Sequence, residues 1–178
     1  MPDLLRYRPR LEGASDPCVW VTTPEGATMR VDSEELRHEL EVRSGIPLYL
    51  MRDHRGNYDI APVSIIAWQT IVRIAEGSGT VPEPRRFRPN LLVDLSDGRA
   101  SGEMAWVGRV LRLGDHARVA VTAPDKRCAM ITFESDTSDA SPQILRWVVQ
   151  QHGGTTGVHG TVLTPGDVRV GDPIVLEA

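Results

Sequence analysis

Apolar and polar positions along this chain switch between a helical period and a period of two, and the switches mark out its elements. Cys18 to Thr23 is a β-branched, aromatic-containing run, Pro24-Glu25-Gly26 is turn chemistry, and Ala27 to Val31 alternates, which predicts a β-hairpin. Asp32-Ser33 then opens a helix. Leu36, Leu40 and Val42 recur at helical spacing among charges as far as Arg43, and Ser44-Gly45 ends the pattern. Leu48 to Met51 reads as a short strand and Asp53-His54-Arg55-Gly56-Asn57 as a polar turn. Val63 to Ile66 is a second short apolar run. Trp68 to Glu76 carries Ile71, Val72, Ile74 and Ala75 as a helical stripe that Gly77-Ser78-Gly79 stops, and Thr80 to Pro84 is a proline-bearing connector.

From Asn90 onward the period is mostly two. Leu91 to Leu95, Trp106 to Leu113, Ala117 to Thr122, Ala129 to Phe133, Gly157 to Leu163 and Pro173 to Leu176 predict strands, interrupted by one helix from Pro142 to Gln151. Many strands joined by glycine turns, with a single late helix, favour a mainly β, α+β chain built on a closed or nearly closed β-barrel with flanking helices. They do not favour a doubly wound sheet. Residues 1–58 read as a small hairpin and helix module and residues 59–178 as the barrel domain.

Composition narrows the classes. A chain of 178 residues can bury one substantial core, and a net charge of −4 argues against nucleic acid as a partner, since phosphate binders ordinarily carry net positive charge. No apolar run reaches the roughly 20 residues that a membrane helix needs, and Met1-Pro2-Asp3 does not open a hydrophobic signal core. The expectation is a cytoplasmic protein with no membrane partner. In a reducing compartment Cys18 and Cys128 are expected to stay unpaired. The histidines are too scattered for a zinc pattern, and no phosphate-binding or dinucleotide-binding glycine motif occurs.

The candidate chemistry gathers around Cys128. The only lysine of the chain, Lys126, lies two residues before it in Asp125-Lys126-Arg127-Cys128. A thiol acts as nucleophile or metal ligand only as the thiolate, which neighbouring cations stabilise. A free cysteine is more often a small buried hydrophobe, but a Lys-Arg pair beside it is costly to bury. Upstream, Arg85-Arg86-Phe87-Arg88-Pro89-Asn90 supplies guanidinium groups suited to bidentate phosphate binding. Read as a strand, it puts Arg86 and Arg88 on one face and Phe87 on the other. His159, in Gly157-Val158-His159-Gly160, is of the type that moves protons near neutral pH, although a lone strand histidine is commonly structural.

The FRPN segment (Phe87 to Asn90), the later Arg127-Cys128 pair and the terminal Pro165-Gly166-Asp167-Val168-Arg169-Val170-Gly171-Asp172 occur in the order that resembles the MOSC domain family. That family is named for the molybdenum-cofactor sulfurase C-terminal domain and includes the amidoxime-reducing components. The resemblance runs from about Asp59 to the C-terminus and implies a β-barrel with flanking helices. It also implies a molybdenum cofactor (molybdopterin) with Cys128 as the thiolate ligand of the metal. Arg88 and Asn90, and more weakly Arg86, would lie on the pterin, and Lys126 or Arg127 on the phosphate. The reaction would be reduction of N-oxygenated or oxo small-molecule substrates with electrons from a separate reductase.

Three departures accompany it. Hydroxyl positions of the family's phosphate loop hold Ile60 and Ala61, leaving Ser64 or backbone amides for that contact. Only the stretch from Cys18 to Gly45 stands where cofactor-binding members have a fuller N-terminal barrel with a Lys-Ser pair, and Lys126 replaces a small hydroxyl residue. The alternative is therefore a metal-free sulfur carrier. There Cys128 takes sulfane sulfur from a pyridoxal-phosphate cysteine desulfurase as a persulfide and passes it to an acceptor. A third alternative is a binding module that keeps the fold without the activity.

Overall fold

The computed structural model describes residues 2–13, 17–51, 58, 60–95 and 102–177. These fall into two compact units, residues 1–55 with 133–139, and residues 56–132 with 140–178.

The first unit is a three-stranded antiparallel sheet in the order β1-β2-β3 (Arg8–Glu12, Cys18–Thr22, Thr28–Arg30) with helix α1 (Glu34–Ser44). The predicted hairpin is β2 and β3, joined in the register Trp20 to Arg30 and Thr22 to Thr28. Strand β1 has no counterpart in the sequence reading because Arg8-Pro9-Arg10 carries no apolar alternation, and all five of its residues are exposed. The helix starts and stops as its sequence predicts. Ser33 Oγ accepts from the Leu36 amide, and Gly45, at φ 71°, donates its amide to the Glu41 carbonyl. Tyr7, Val21 and Leu36 make the small core. Leu48 to Met51 is not a strand. No neighbouring strand is there to pair its backbone, so Tyr49, Leu50 and Met51 stand exposed. The predicted turn at Asp53 to Asn57 lies outside the described residues. Asp136 is bound by Arg8 at 3.0 Å.

The second unit is a six-stranded sheet, curled as a half-barrel, in the order β5-β4-β8-β7-β6-β9. The strands are β4 (Val63–Ala67), β5 (Leu91–Val93), β6 (Val110–Leu113), β7 (Ala117–Lys126), β8 (Thr155–Thr164) and β9 (Ile174–Glu177). Only β4 and β5 run parallel, and among the described residues no ladder closes β5 onto β9. The fold class is the α+β half-barrel expected of the sequence, with α2 (Trp68–Ser78) and α3 (Pro142–His152) as its helices.

The continuous apolar run of β4 is explained by burial on both faces. Ile65 and Ala67 pack with Leu111, Leu113, Val119, Val121 and Val158, whereas Ile66 packs with Ile71, Ile74, Phe87, Ile131, Ile144 and Val148 under the two helices. The predicted strand from Trp106 to Leu113 begins only at Val110, because Gly102–Trp106 is a 3-10 turn. Likewise, Ala129–Thr132 is a 3-10 turn rather than a strand.

Two predictions follow from the packing. A Cβ on Gly77 would lie 2.1 Å from Trp147 Nε1, so α2 and α3 can approach only with glycine there. Gly77→Ala should cost roughly 1–3 kcal/mol in urea unfolding, against the slight gain that alanine gives an open helix position. Burial, with the hydrogen bond to Glu39, pushes the Tyr7 phenol up to about 12 from its ordinary 10.0. The folded chain holds that proton more tightly than the unfolded chain. The stabilisation is therefore complete below pH 10 and is lost as pH rises toward 12. Ultraviolet titration should show a late phenolate step that is missing in Tyr7→Phe.

Candidate functional site

Strand β7 builds the site. Its alternation buries Ala117, Val119 and Val121, and the same inward phase reaches Asp125, which places a carboxylate where the pattern calls for an aliphatic side chain. A buried charge persists only when paired. Asp125 Oδ2 accepts from Arg127 Nη2 at 2.8 Å and Oδ1 from His159 Nε2 at 3.2 Å, with the Asp125 and Arg127 side chains 10% and 7% exposed.

The remaining donors of Arg127 are also spent within the fold. Nε donates to the Thr156 carbonyl at 2.7 Å, Nη1 to the Phe87 carbonyl at 2.9 Å, and the guanidinium lies 5.4 Å from the Phe87 ring centre. Burial lowers its pKa from the ordinary arginine value, and the nearby Asp125 and Glu103 carboxylates oppose that shift.

Opposite, β8 makes room. Between the pairs Pro124 to Val158 and Lys126 to Thr155, Asp125 alone faces Thr156 and Gly157, which is a β-bulge. Gly157 takes φ 75°, and a Cβ there would sit 2.7 Å from Arg127 Nη2 and 2.9 Å from the Ile65 carbonyl. Its amide donates to Glu103 Oε1 at 3.2 Å, while Glu103 Oε2 accepts from Thr70 Oγ1 at 2.8 Å, so a second buried acid secures the bulge.

The FRPN segment is not a strand. Pro84–Phe87 is a 3-10 turn capped by Glu83, whose side chain accepts from the Arg85 amide. Arg88 closes the turn at φ 51°, immediately before Pro89. A non-glycine residue in that region stores on the order of 1–3 kcal/mol, and such strain concentrates at functional positions. Arg86 points into the fold. Its Nη1 donates to the Thr132 carbonyl at 2.8 Å, and its Nε is buried without a partner among the described residues.

Asn90 braces β5 against β4. Its Oδ1 accepts from the Ser64 amide at 2.9 Å and from Ser64 Oγ at 3.0 Å, so the serine left for a phosphate contact is itself engaged. Arg88 is exposed, with no side-chain partner among the described residues.

Two arginine contacts therefore join the basic turn to the thiol segment: Arg127 to Phe87 and Arg86 to Thr132. Cys128 follows β7, exposed and unpaired, at the entry to the Ala129–Thr132 turn rather than at the start of a strand. Lys126 ends β7, exposed and without a partner among the described residues. His159 is more than nine-tenths buried, and its Nδ1 has no partner among the described residues. Sequence reasoning passed over Asp125 and Glu103. The phase of Asp125 within an otherwise aliphatic inward face was the available signal, while nothing in the pattern around Glu103 set it apart.

The MOSC domain profile matches residues 52–175, well over half of the chain. The chain belongs to the MOSC domain family. Among solved structures, it is similar to YiiM from Geobacillus stearothermophilus, with TM-score 0.50 and 22% identity over 66% of this chain and 55% of that one. It is also similar to YiiM from Escherichia coli, with TM-score 0.45 and 22% identity over the same shares. At this identity the Geobacillus likeness speaks to the fold alone. The chain spans about half the length of these relatives, and no curated protein matches it. No described helix is long and apolar enough to cross a membrane.

Within this MOSC domain the Lys126-Arg127 pair divides its labour, one cation free and one committed. Arg127→Met should leave a buried carboxylate and two carbonyls without their partner and cost about 3–5 kcal/mol. Lys126→Met should change stability by about 0.5 kcal/mol or less. Equal losses in urea titrations of the two variants would contradict that division.

Proposed function

We propose that this MOSC protein works through the sulfur of Cys128 as a sulfur-transfer protein. The supporting observation is an exposed thiol carried at the end of a strand whose last turns are fixed by the buried Arg127-Asp125 pair. A sulfur carrier must meet donor and acceptor proteins, so its thiol has to stand at the surface on a rigid support. The Cys128 thiolate attacks the terminal sulfur of a desulfurase persulfide. A sulfur–sulfur bond forms on Cys128 as the donor's breaks, and the donor cysteine leaves as a thiolate that takes up a proton. No net oxidation occurs. Lys126 and Arg88 supply positive charge for the anionic sulfur species, and His159 handles the proton.

A molybdenum cofactor is the second reading. It is favoured by the match over residues 52–175 together with the exposed Cys128, Lys126 and strained Arg88. The residues fit it at these three points. Arg127 and the side-chain carbonyl of Asn90, expected on the phosphate and the pterin, are taken up by protein partners. When bound, such a cofactor would supply oxygen-atom transfer at the metal, with Cys128 as ligand and Arg88 and Lys126 toward its phosphate. A separate reductase would supply electrons.

Expression in a host that makes molybdenum cofactor, followed by metal and pterin analysis and by sulfur loading with a cysteine desulfurase and cysteine, separates the two. The expected outcome is one sulfane sulfur per chain without molybdenum. Loading should be abolished in Cys128→Ala and unchanged in Cys18→Ser. Stoichiometric molybdenum lost in Cys128→Ala would establish the cofactor reading instead. Loading that survives Cys128→Ala would remove Cys128 from the site.

A further inference from the structure

The buried pair at the end of β7 determines more than the position of Arg127. Asp125 is gripped on one oxygen by a guanidinium at 2.8 Å, which holds it as a carboxylate, and an ionised carboxylate can only accept hydrogen bonds. Its other oxygen faces His159 Nε2 at 3.2 Å, so that nitrogen carries the hydrogen. In the neutral imidazole the second nitrogen is then a bare acceptor. Nδ1 is that nitrogen, buried and without a partner among the described residues. A buried polar group left unpaired costs about 1–3 kcal/mol, which a purely structural histidine would avoid by finding a donor. The only other charged groups the described residues bring to this network are Arg127 and Glu103. Glu103 is spent on the Gly157 amide and Thr70, so it offers no hydrogen to Nδ1.

We propose that Asp125 is the positioning residue of the site: held by Arg127, it fixes His159 with its hydrogen on Nε2 and so reserves Nδ1 as the proton acceptor of the Cys128 reaction. This rests on the sulfur-transfer reading for its consequence, though not for its geometry. The thiol proton of Cys128 is relayed to Nδ1 as the thiolate forms. The resulting imidazolium is balanced by the Asp125 carboxylate, and the same proton returns to the departing thiolate of the donor, so protons balance over the transfer.

Nitrogen NMR of the histidine rings in the whole chain tests the geometry directly. The wild type should show His159 with a protonated Nε2 and a bare Nδ1, and Asp125→Asn, whose amide can donate, should reverse that tautomer. A hydrogen on Nδ1 in the wild type would overturn the proposal. Because Asp125→Asn removes a buried charge and can unfold the chain, His159→Gln is the second variant. Its amide keeps a donor at the Nε2 position for Asp125 and deletes only the Nδ1 acceptor. It should retain the wild-type melting temperature while desulfurase-driven loading of Cys128 slows by about 100-fold. Loading at the wild-type rate would reduce the histidine to a structural role. If the wild type takes up no sulfur at all, the sulfur-transfer reading fails, and with it the assigned role of Nδ1. The ring spectrum then stands as evidence on the Asp125 geometry alone.

Discussion

The ion pair between Arg127 and Asp125 is the constraint on which the rest of this domain depends. Both side chains are almost wholly out of water, where charge survives only with complete pairing, and every nitrogen of the guanidinium has an acceptor. The consequences reach three pieces of chain at once. The end of β7 is tied to the bulge of β8 through the Thr156 carbonyl, the basic turn is tied to both through Phe87, and the imidazole of His159 is oriented through the second oxygen of Asp125. Gly157 belongs to the same device, since any side chain there would occupy the space of the guanidinium.

This arrangement separates residues that support from residues that are available. Arg127, Asn90 and Ser64 spend their polar groups on backbone and on one another, and Arg86 gives Nη1 to the Thr132 carbonyl. Cys128, Lys126 and Arg88 remain at the surface on segments those contacts hold in place. The strain at Arg88 fits that division: a turn with proline on either side and a left-handed residue at its end is kept by its anchors rather than by its own preference. The domain thus displays a sulfur and two cations on a frame that does not need them for stability.

Much of the fold was legible because it follows period and punctuation. The limits of α1, α2 and α3 were set by Ser33, Gly45, Gly79, Pro142 and Gly153, residues whose conformational preferences act locally. Strand β1 and the extended, unpaired stretch at Tyr49 to Met51 were not legible, since each depends on whether a partner strand is present. The candidate site was legible in its chemistry and not in its roles. The Arg127-Cys128 pair and the FRPN segment were visible as letters. Which of two adjacent cations turns inward, however, is decided by the phase of β7 and by a bulge on a strand some thirty positions later in sequence. Asp125 was overlooked for the same reason, because an acid in a turn-like Pro-Asp-Lys context gives no sign that its strand continues through it.

The most direct test of this account is a double-mutant cycle on Asp125 and Arg127, with Asp125→Asn, Arg127→Met and the double variant followed by urea unfolding. The account predicts a coupling energy of about 2 kcal/mol or more, each single change costing nearly as much as both together, because either alone strands a buried partner. Additive losses within about 0.5 kcal/mol would mean that the two side chains act independently, and the frame assigned to Cys128 and His159 would have to be sought elsewhere.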